Sequence, residues 1–209
     1  MKAPSVHWSD FRFNAGRLSL DLPATVRRRS STPHDVLAAP AEAARWLHEA
    51  GLTDRQLRLR SAQVQQLLEL REAIWAAADA RAQQRRPASA ALRVINRAAA
   101  YPLPVPRLDP QTLARVLLAR DAFHSALSAI ARDAIELLAG AEARRIKACA
   151  QPDCRMLFFD GSPAERRRWC SMDRCGSRAK GTASRLKRST RTAAPRRGGA
   201  HSRASERPG

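Results

Sequence analysis

Four cysteines grouped in one short stretch are the side chains of this 209-residue sequence best suited to chemistry. Cys149, Cys154, Cys170 and Cys175 follow the pattern C-x4-C-x15-C-x4-C, which is two equal pairs separated by a medium gap. Four thiolates in two close pairs match an all-cysteine, tetrahedral zinc site. Because protein fills all the ligand positions, no place is left for water or substrate. The sequence therefore predicts one structural zinc ion per chain.

The residues around the cysteines predict the elements that hold them. Two strand-like runs, at residues 145–148 and 155–159, flank the first pair and its intervening Pro152, which predicts a zinc knuckle on a hairpin. Residues 162–165 read Ser-Pro-Ala-Glu, a pattern typical of a helix start. The second pair lies at the entry of a predicted last helix, at residues 173–188. A hairpin knuckle followed by a helix-entry pair is the arrangement of a treble-clef finger.

The charge of the chain indicates a polyanionic partner. It has 38 Lys and Arg against 19 Asp and Glu, a net charge of +19. Residues 141–209 hold 18 of these cations and 6 of the anions, so one third of the chain carries nearly two thirds of the excess. Such an asymmetry is typical of a region that binds nucleic acid.

The predicted last helix has two faces. Its arginines fall within an arc of about 80° at about 100° per residue, and an apolar stripe of Met172, Ala179, Ala183 and Leu186 lies roughly opposite. No acidic residue occurs from 174 to 205, so pairing within the helix does not explain these cations. An arginine row suits contact with phosphates and guanine edges, which favours nucleic acid over a merely solvated face. The predicted contacts are Arg174, Arg178, Lys180, Arg185, Lys187, Arg188, Arg166, Arg167 and Arg168.

The first 140 residues predict a mainly helical domain with a small sheet. Apolar residues alternate with polar ones between Phe11 and Leu22, around the turn signal Asn14-Ala15-Gly16, which predicts a β-hairpin. Residues 27–35 are polar and predict a loop. Apolar residues at helical spacing predict helices at residues 40–50, from Thr53 to the 83–86 region, at 89–99 and at 121–139. Prolines at 102, 104 and 106 force an extended path, whereas residues 108–118 fit either a strand or a helix.

Residues for catalysis are not evident in this first part. It has no Gly-rich phosphate loop, and its histidines are not paired with acidic residues at metal or catalytic spacing. Asp21 and Arg71 are candidate anchors for a small-molecule ligand, but no base, nucleophile or open metal site accompanies them. The chain is therefore not expected to be an enzyme.

The finger residues resemble the CGNR zinc finger. The resemblance is carried by two runs, Cys149-x4-Cys154-Arg155-x-Leu157-Phe158-x-Asp160-x-Ser162 and Arg168-Trp169-Cys170-Ser171-Met172-x-x-Cys175-Gly176-Ser177-Arg178-x-Lys180. In that family the finger follows a helical ABATE domain, and the proteins are described as bacterial stress-induced transcription regulators. The residues that resemble the ABATE domain are Leu20-Asp21-Leu22, Thr25, Trp46-Leu47 and Leu70-Arg71-Glu72-Ala73-Ile74.

Two positions depart from the family pattern. Ser177 replaces the asparagine of the CGNR motif, so a contact through an amide is lost although a hydroxyl still bonds locally. Pro23-Ala24 replaces an aliphatic residue and an asparagine in the early run. If that segment lines a small-molecule pocket, the replacement would change the ligand specificity or remove the pocket.

These observations predict a mainly α fold with a small β component (α+β), in which a helical domain precedes a treble-clef-like four-cysteine finger. The predicted divisions are residues 1–140, an ABATE-like sensor or dimerisation domain, 141–188, the finger, and 189–209, a disordered basic tail. The expected function is a DNA-binding transcription regulator. Two alternatives stay open: an RNA- or ribosome-binding zinc protein, and a small-molecule receptor whose finger is purely structural.

The expected surroundings of the protein follow from the same sequence. No apolar run of about 18 residues exists, so no membrane span is expected. No secretion signal is evident near the start, which predicts a cytoplasmic protein. If the protein binds DNA, it is expected to be associated with the nucleoid. A single DNA-binding module buries only about 600–1,000 Å², so a homodimer is expected, with the Ala-rich face of the 121–139 helix as its seam. An unknown small-molecule effector is a further expected partner.

Overall fold

A computed structural model describes residues 11–182 of the chain. This part is mainly helical and contains three two-stranded antiparallel sheets, so the predicted α+β fold class is confirmed. The predicted tail, 189–209, lies outside the described residues, as do residues 183–188 of the predicted last helix. None of the described helices is long and apolar enough to cross a bilayer.

Four helices form the larger hydrophobic core. They are α2 (Pro40–Glu49), α3 (Ser61–Ala82), α4 (Ser89–Ala99) and α5 (Ala122–Ala139). Their positions agree with those predicted from the helical periodicity, except at the start of α3. Trp46, Leu67, Ile74, Ile95 and Ile130 are almost fully buried in this cluster, which we call the helical core. The backbone N–H of His124 donates to the Asp121 carboxylate and so caps α5, as expected for an aspartate at that position.

The predicted β-hairpin between residues 11 and 22 is wrong. The chain instead forms a single helical turn, α1 (Leu18–Asp21), followed by a 3-10 turn at Pro23–Thr25. The alternation arises because Leu20 and Leu22, two residues apart, enter two different hydrophobic clusters. On a helix such a spacing points side chains in nearly opposite directions, at about 200°.

The start of α3 is also predicted wrongly. The helix begins at Ser61 rather than Thr53, and the backbone N–H of Arg60 donates to the Gln63 side chain at 3.0 Å. In the preceding segment Leu57 and Leu59 are half-buried while their neighbours are exposed. That alternation is the signature of an extended chain, which the helical interpretation of Leu57 overlooked.

Two small sheets close loops of the helical part. The predicted loop at residues 27–35 is bounded by β1 (Val26–Arg27) and β2 (His34–Asp35), which pair with each other. The ambiguous residues 108–118 contain a strand, β4 (Arg115–Leu118). It pairs with β3 (Val105–Leu108), which begins within the proline run.

The finger begins with a 3-10 turn at Ala141–Arg145 and continues with the antiparallel pair β5 (Ile146–Ala148) and β6 (Leu157–Phe159). After a long loop, a π-helical turn at Met172–Gly176 leads into a helix that continues to residue 182; together they are called the terminal helix. The predicted helix start at 162–165 is wrong, because this segment is a turn in which Glu165 has a positive φ of 48°.

The finger shares its hydrophobic core with the helical part. Ile146, Phe158 and the buried cysteines pack in one cluster with Leu20 of α1 and Leu137 of α5; we call it the junction cluster. Residue 140 is therefore a boundary in sequence, while the packing continues across it.

The predicted dimer seam is occupied within the chain. Ala126, Ala131 and Ala134 of α5 are at most 1% exposed because they pack in the helical core. The Ala-rich face of α5 is thus wrong as a dimer seam, and the homodimer itself stays a prediction.

Candidate metal centre

The hairpin β5–β6 positions the first cysteine pair. The Cys149 N–H donates to the carbonyl of Met156 at 2.9 Å, and the Cys154 N–H donates to the carbonyl of Gln151 at 3.0 Å. Arg155, directly after the second cysteine, adopts a positive φ of 49°, which turns the chain into β6. These contacts form the predicted knuckle, with both thiols on one side of a tight turn.

The four thiols converge on one point. All four Sγ atoms lie within 4.8 Å of one another. The Cys154 and Cys170 sulfurs are 3.7 Å apart, and those of Cys170 and Cys175 are 3.6 Å apart. A tetrahedron with zinc–sulfur bonds of about 2.3 Å requires sulfur–sulfur distances of about 3.8 Å. The donor set and its spacing therefore fit zinc.

Arg178 supports the metal centre from outside the thiols. Its Nη2 lies 3.4 Å from the Cys175 sulfur, and its Nη1 donates to the Asp153 carboxylate at 2.8 Å. The pKa of Cys175 is lowered, first by hydrogen bonds from the other three thiols and further by Arg178. The pKa of Arg178 is raised, chiefly by its bond to the Cys175 sulfur. The guanidinium predicted as a nucleic-acid contact thus orients and stabilises a thiolate.

Asp160 organises the loop between the two cysteine pairs, and the sequence interpretation gave it no role. It is fully buried and accepts hydrogen bonds from Lys147 Nζ at 2.6 Å, from the Ser162 hydroxyl at 2.6 Å and from the Arg167 N–H at 2.9 Å. Burial raises the pKa of this carboxyl, but these bonds outweigh burial and hold the pKa well below its usual range. The signal available in the sequence was the Asp-x-Ser pattern, which is typical of a side chain that bonds two residues ahead.

The three consecutive arginines after the turn have different environments. Arg167 is held within the finger, since its Nε donates to the Trp169 carbonyl at 3.0 Å and its guanidinium lies 4.6 Å from the Phe158 ring centre. Arg168 is exposed and lies 5.1 Å from the Trp169 ring centre, and Arg166 is exposed.

The three arginines line one groove, whose wall also includes Ala148 and Ala150 on either side of Cys149. The groove has a volume of about 690 Å³ and is lined by Arg166, Arg167 and Arg168 together with Arg144 and Lys147. Glu165 pairs with Arg144, but Arg166 has no acceptor among the described residues. We call it the basic groove.

The other predicted contacts lie along the terminal helix or beyond it. Lys180 is exposed, whereas Arg174 is half-buried and lines a different cavity. Ser177, at the family's asparagine position, bonds through its hydroxyl to the Met172 carbonyl at 3.1 Å. Met172 is 52% exposed, so its predicted place in a docked apolar stripe is wrong. Predicted contacts outside the described residues are Arg185, Lys187 and Arg188, and so are the stripe residues Ala183 and Leu186.

Asp21 and Arg71, the candidate ligand anchors, bind partners within the protein. Asp21 accepts the N–H of Ala15 at 2.8 Å, and burial raises its pKa to about 6. Arg71 is 5% exposed and binds both carboxylate oxygens of Asp35, at 2.7 and 2.8 Å. Asp21 therefore stabilises the turn that precedes α1. Arg71, which lies on α3, holds β2 through Asp35.

Comparisons with known proteins match both parts of the chain. A family model named ABATE and described as a putative stress-induced transcription regulator matches residues 16–141. A model of the CGNR zinc finger matches residues 145–188. A search of curated proteins finds no match to this chain.

Proposed function

The chain belongs to the ABATE family and carries a CGNR zinc finger, and from this premise we propose that it is a DNA-binding transcription regulator rather than an enzyme. The basic groove carries the proposal. Its lining includes Ala148 and Ala150, which flank Cys149, and five cations from the 3-10 turn, from β5 and from the loop before Cys170. Guanidinium groups suit phosphate contact, because their planar N–H donors match the geometry of phosphate oxygens.

One zinc ion per chain would be held by Cys149, Cys154, Cys170 and Cys175. When bound, zinc supplies a fixed tetrahedral link between the knuckle and the terminal helix. The protein residues then set the orientation of the groove: Asp160 holds Lys147 and the Arg167 backbone, and the Arg168 carbonyl accepts the N–H of Ala150 at 2.9 Å.

Arg166 and Arg168 are assigned the phosphate contacts. Both are exposed in the groove, whereas Arg167 is committed to the Trp169 carbonyl and the Phe158 ring. Lys180, exposed on the terminal helix, supports the contact, and so do the predicted residues Arg185, Lys187 and Arg188. Arg174 and Arg178 have other environments and are not assigned to DNA here. For a protein with this function we expect a cytoplasmic, nucleoid-associated location and a homodimer that binds two DNA half-sites.

Fluorescence anisotropy with a labelled DNA duplex tests the proposal. If about five phosphates are neutralised, the logarithm of affinity falls against the logarithm of salt concentration with a slope of about −4.5. The double variant Arg166→Gln/Arg168→Gln is expected to reduce the slope to about −2.7, since each lost phosphate contact removes about 0.9. The matched control is Arg58→Gln/Arg93→Gln, which removes the same charge from exposed positions of the helical part. A flat salt response, or an equal effect of the control, contradicts the proposal.

Competition between duplex DNA and structured RNA at one salt concentration separates the proposal from the RNA-binding alternative. Phosphate contacts alone would let both polymers compete about equally. A groove shaped for duplex DNA is expected to be released more effectively by unlabelled DNA than by RNA, whose helix has a different groove geometry. Stronger displacement by RNA would instead assign the groove to an RNA partner.

A further inference from the structure

A second arginine-rich cavity lies between the helical part and the terminal helix, apart from the basic groove. Its volume is about 670 Å³, which is within the range of small-molecule sites, about 300–1,000 Å³. Arg12, Ala24 and Val26 line it from the helical part, and Met156 and Arg174 line it from the finger. We call it the junction cavity.

Positive charge in the junction cavity exceeds the negative charge around it. The lining has five arginines, one carboxylate (Asp173) and two cysteines of the metal centre, Cys154 and Cys175; the arginines are Arg12, Arg27, Arg28, Arg174 and Arg178. The Asp153 carboxylate forms ion pairs with two of them, with Arg178 at 2.8 Å and with Arg28 at 3.5 Å. The pKa of Arg12 is lowered, chiefly by burial and then by the charge of Arg174, while the nearby thiols of Cys170, Cys154 and Cys175 act in the opposite direction.

The guanidinium of Arg174 contains a buried donor without an acceptor. Its Nη1 is shielded from solvent and finds no hydrogen-bond partner among residues 11–182. A buried N–H of a charged group is costly when unpaired, and such groups are normally satisfied by protein, by water or by a bound ligand. Besides Asp173, the acceptors in the lining are the sulfurs of Cys154 and Cys175 and the Ser177 hydroxyl. The apolar atoms come from Ala24, Val26 and Met156.

We propose that the junction cavity binds a small organic anion. A phosphate or carboxylate group is held between Arg12 and Arg174, and an apolar body lies against Val26 and Met156. The chain's own segment 183–209 is an unsuitable occupant because its charge is also strongly positive. The site bridges the helical part and the finger, so a bound anion would link the two. The proposal does not depend on DNA binding.

Isothermal titration calorimetry of the full, zinc-loaded chain tests the site with four probes: phenyl phosphate, benzoate, phenol and inorganic phosphate. Phenyl phosphate, benzoate or both are expected to bind with one site per chain, and the tighter of the two identifies the anionic group. Phenol lacks the charge and inorganic phosphate lacks the apolar body, so both are expected to bind at least about tenfold more weakly.

Two single variants and one control complete the experiment. Arg12→Gln and Arg174→Gln are each expected to weaken the anion by about tenfold or more, because each removes a charge-assisted hydrogen bond. Arg93→Gln, which removes an exposed arginine from α4, is expected to leave binding unchanged. Arg12 lies outside the finger, so its variant remains informative if Arg174→Gln lowers the zinc content measured in parallel. Absence of binding, equal binding of phenol, equal binding of inorganic phosphate, or equal loss in Arg93→Gln overturns the proposal.

Discussion

The helical core and the junction cluster differ in the side chains that form them, because only the junction cluster contains cysteines. The helical core consists of apolar side chains, mainly from α2, α3, α4 and α5, such as Trp46, Ile74 and Ile130. The junction cluster has three buried thiols, Cys149, Cys170 and Cys175, at its finger end, and Cys154 packs against them. Burial of apolar surface stabilises the first region without help. In the second region, four sulfurs in mutual contact require a cation to hold them once they are ionised.

This difference predicts where the molecule depends on its metal. The large side chains of the finger strands, such as Leu157 and Phe158, are buried in the same cluster as Leu20 and Leu137 of the helical part. The finger therefore shares its core with the helical part and has no separate one among the described residues. Loss of the metal should open the junction cluster and leave the helical core closed.

Removal of zinc is the largest perturbation. For short zinc modules, apparent binding at neutral pH contributes about 10–16 kcal/mol, so a strong chelator is expected to unfold residues 146–182. Hydrogen exchange measured by mass spectrometry should show rapid exchange there and retained protection in the middle of α3, α4 and α5. The control is the same chelator saturated with zinc beforehand. Simultaneous loss of protection in the helical core would show that the two regions form one cooperative unit.

Two substitutions on α5 compare the regions directly. Ile130 lies in the helical core and Leu137 in the junction cluster, and both are at most 1% exposed. Ile130→Ala and Leu137→Ala should each lower the free energy of unfolding by about 2–5 kcal/mol, because each leaves a cavity. Only Leu137→Ala should also weaken zinc binding, as measured by competition with a coloured chelator. Equal loss of zinc affinity in Ile130→Ala would contradict the division.

Asp21 lies between the two clusters and gives the protein a pH dependence. Burial raises its pKa from 3.8 to about 6, so the folded state holds this proton more tightly than the unfolded state does. Its contribution to stability is complete below about pH 4 and is lost as the pH rises through 6, in total about 3 kcal/mol. Denaturant unfolding of the wild type and of Asp21→Asn from pH 4 to 7 measures the difference between them. A constant difference over this range would contradict the raised pKa.

The sequence predicted best those features that depend on local chemistry. The cysteine spacing predicted the cluster that the structure forms, and the periodicity of residues 121–139 predicted α5. It failed where neighbouring residues enter different clusters. Leu20 and Leu22 looked like one face of a strand because their spacing does not reveal that two separate cores receive them.

The candidate site shows the same limit. The charge of the finger predicted which residue types would matter, but it could not distinguish the environments of individual arginines. Arg167 and Arg178 are used inside the finger, whereas Arg166 is exposed in the groove. The contact of Arg178 with Asp153 joins residues 25 positions apart, which are brought close only by the fold of the finger. Long-range pairs of this kind leave no spacing in the sequence.

Arg178 provides the finest test of the comparison, because it changes the metal centre without changing any apolar contact of the helical core. Arg178→Gln removes the charge beside the Cys175 sulfur, and loss of such a supporting contact typically lowers metal affinity by about 10–100-fold. Lys180→Gln removes an equal charge from an exposed position of the same helix and should leave zinc affinity unchanged. Chelator competition measures the affinity, and thermal unfolding of the zinc-free variants should show the same Tm for the helical core. If Lys180→Gln weakens zinc as much as Arg178→Gln does, the effect is one of net charge, and the specific contact to Cys175 has no part in it.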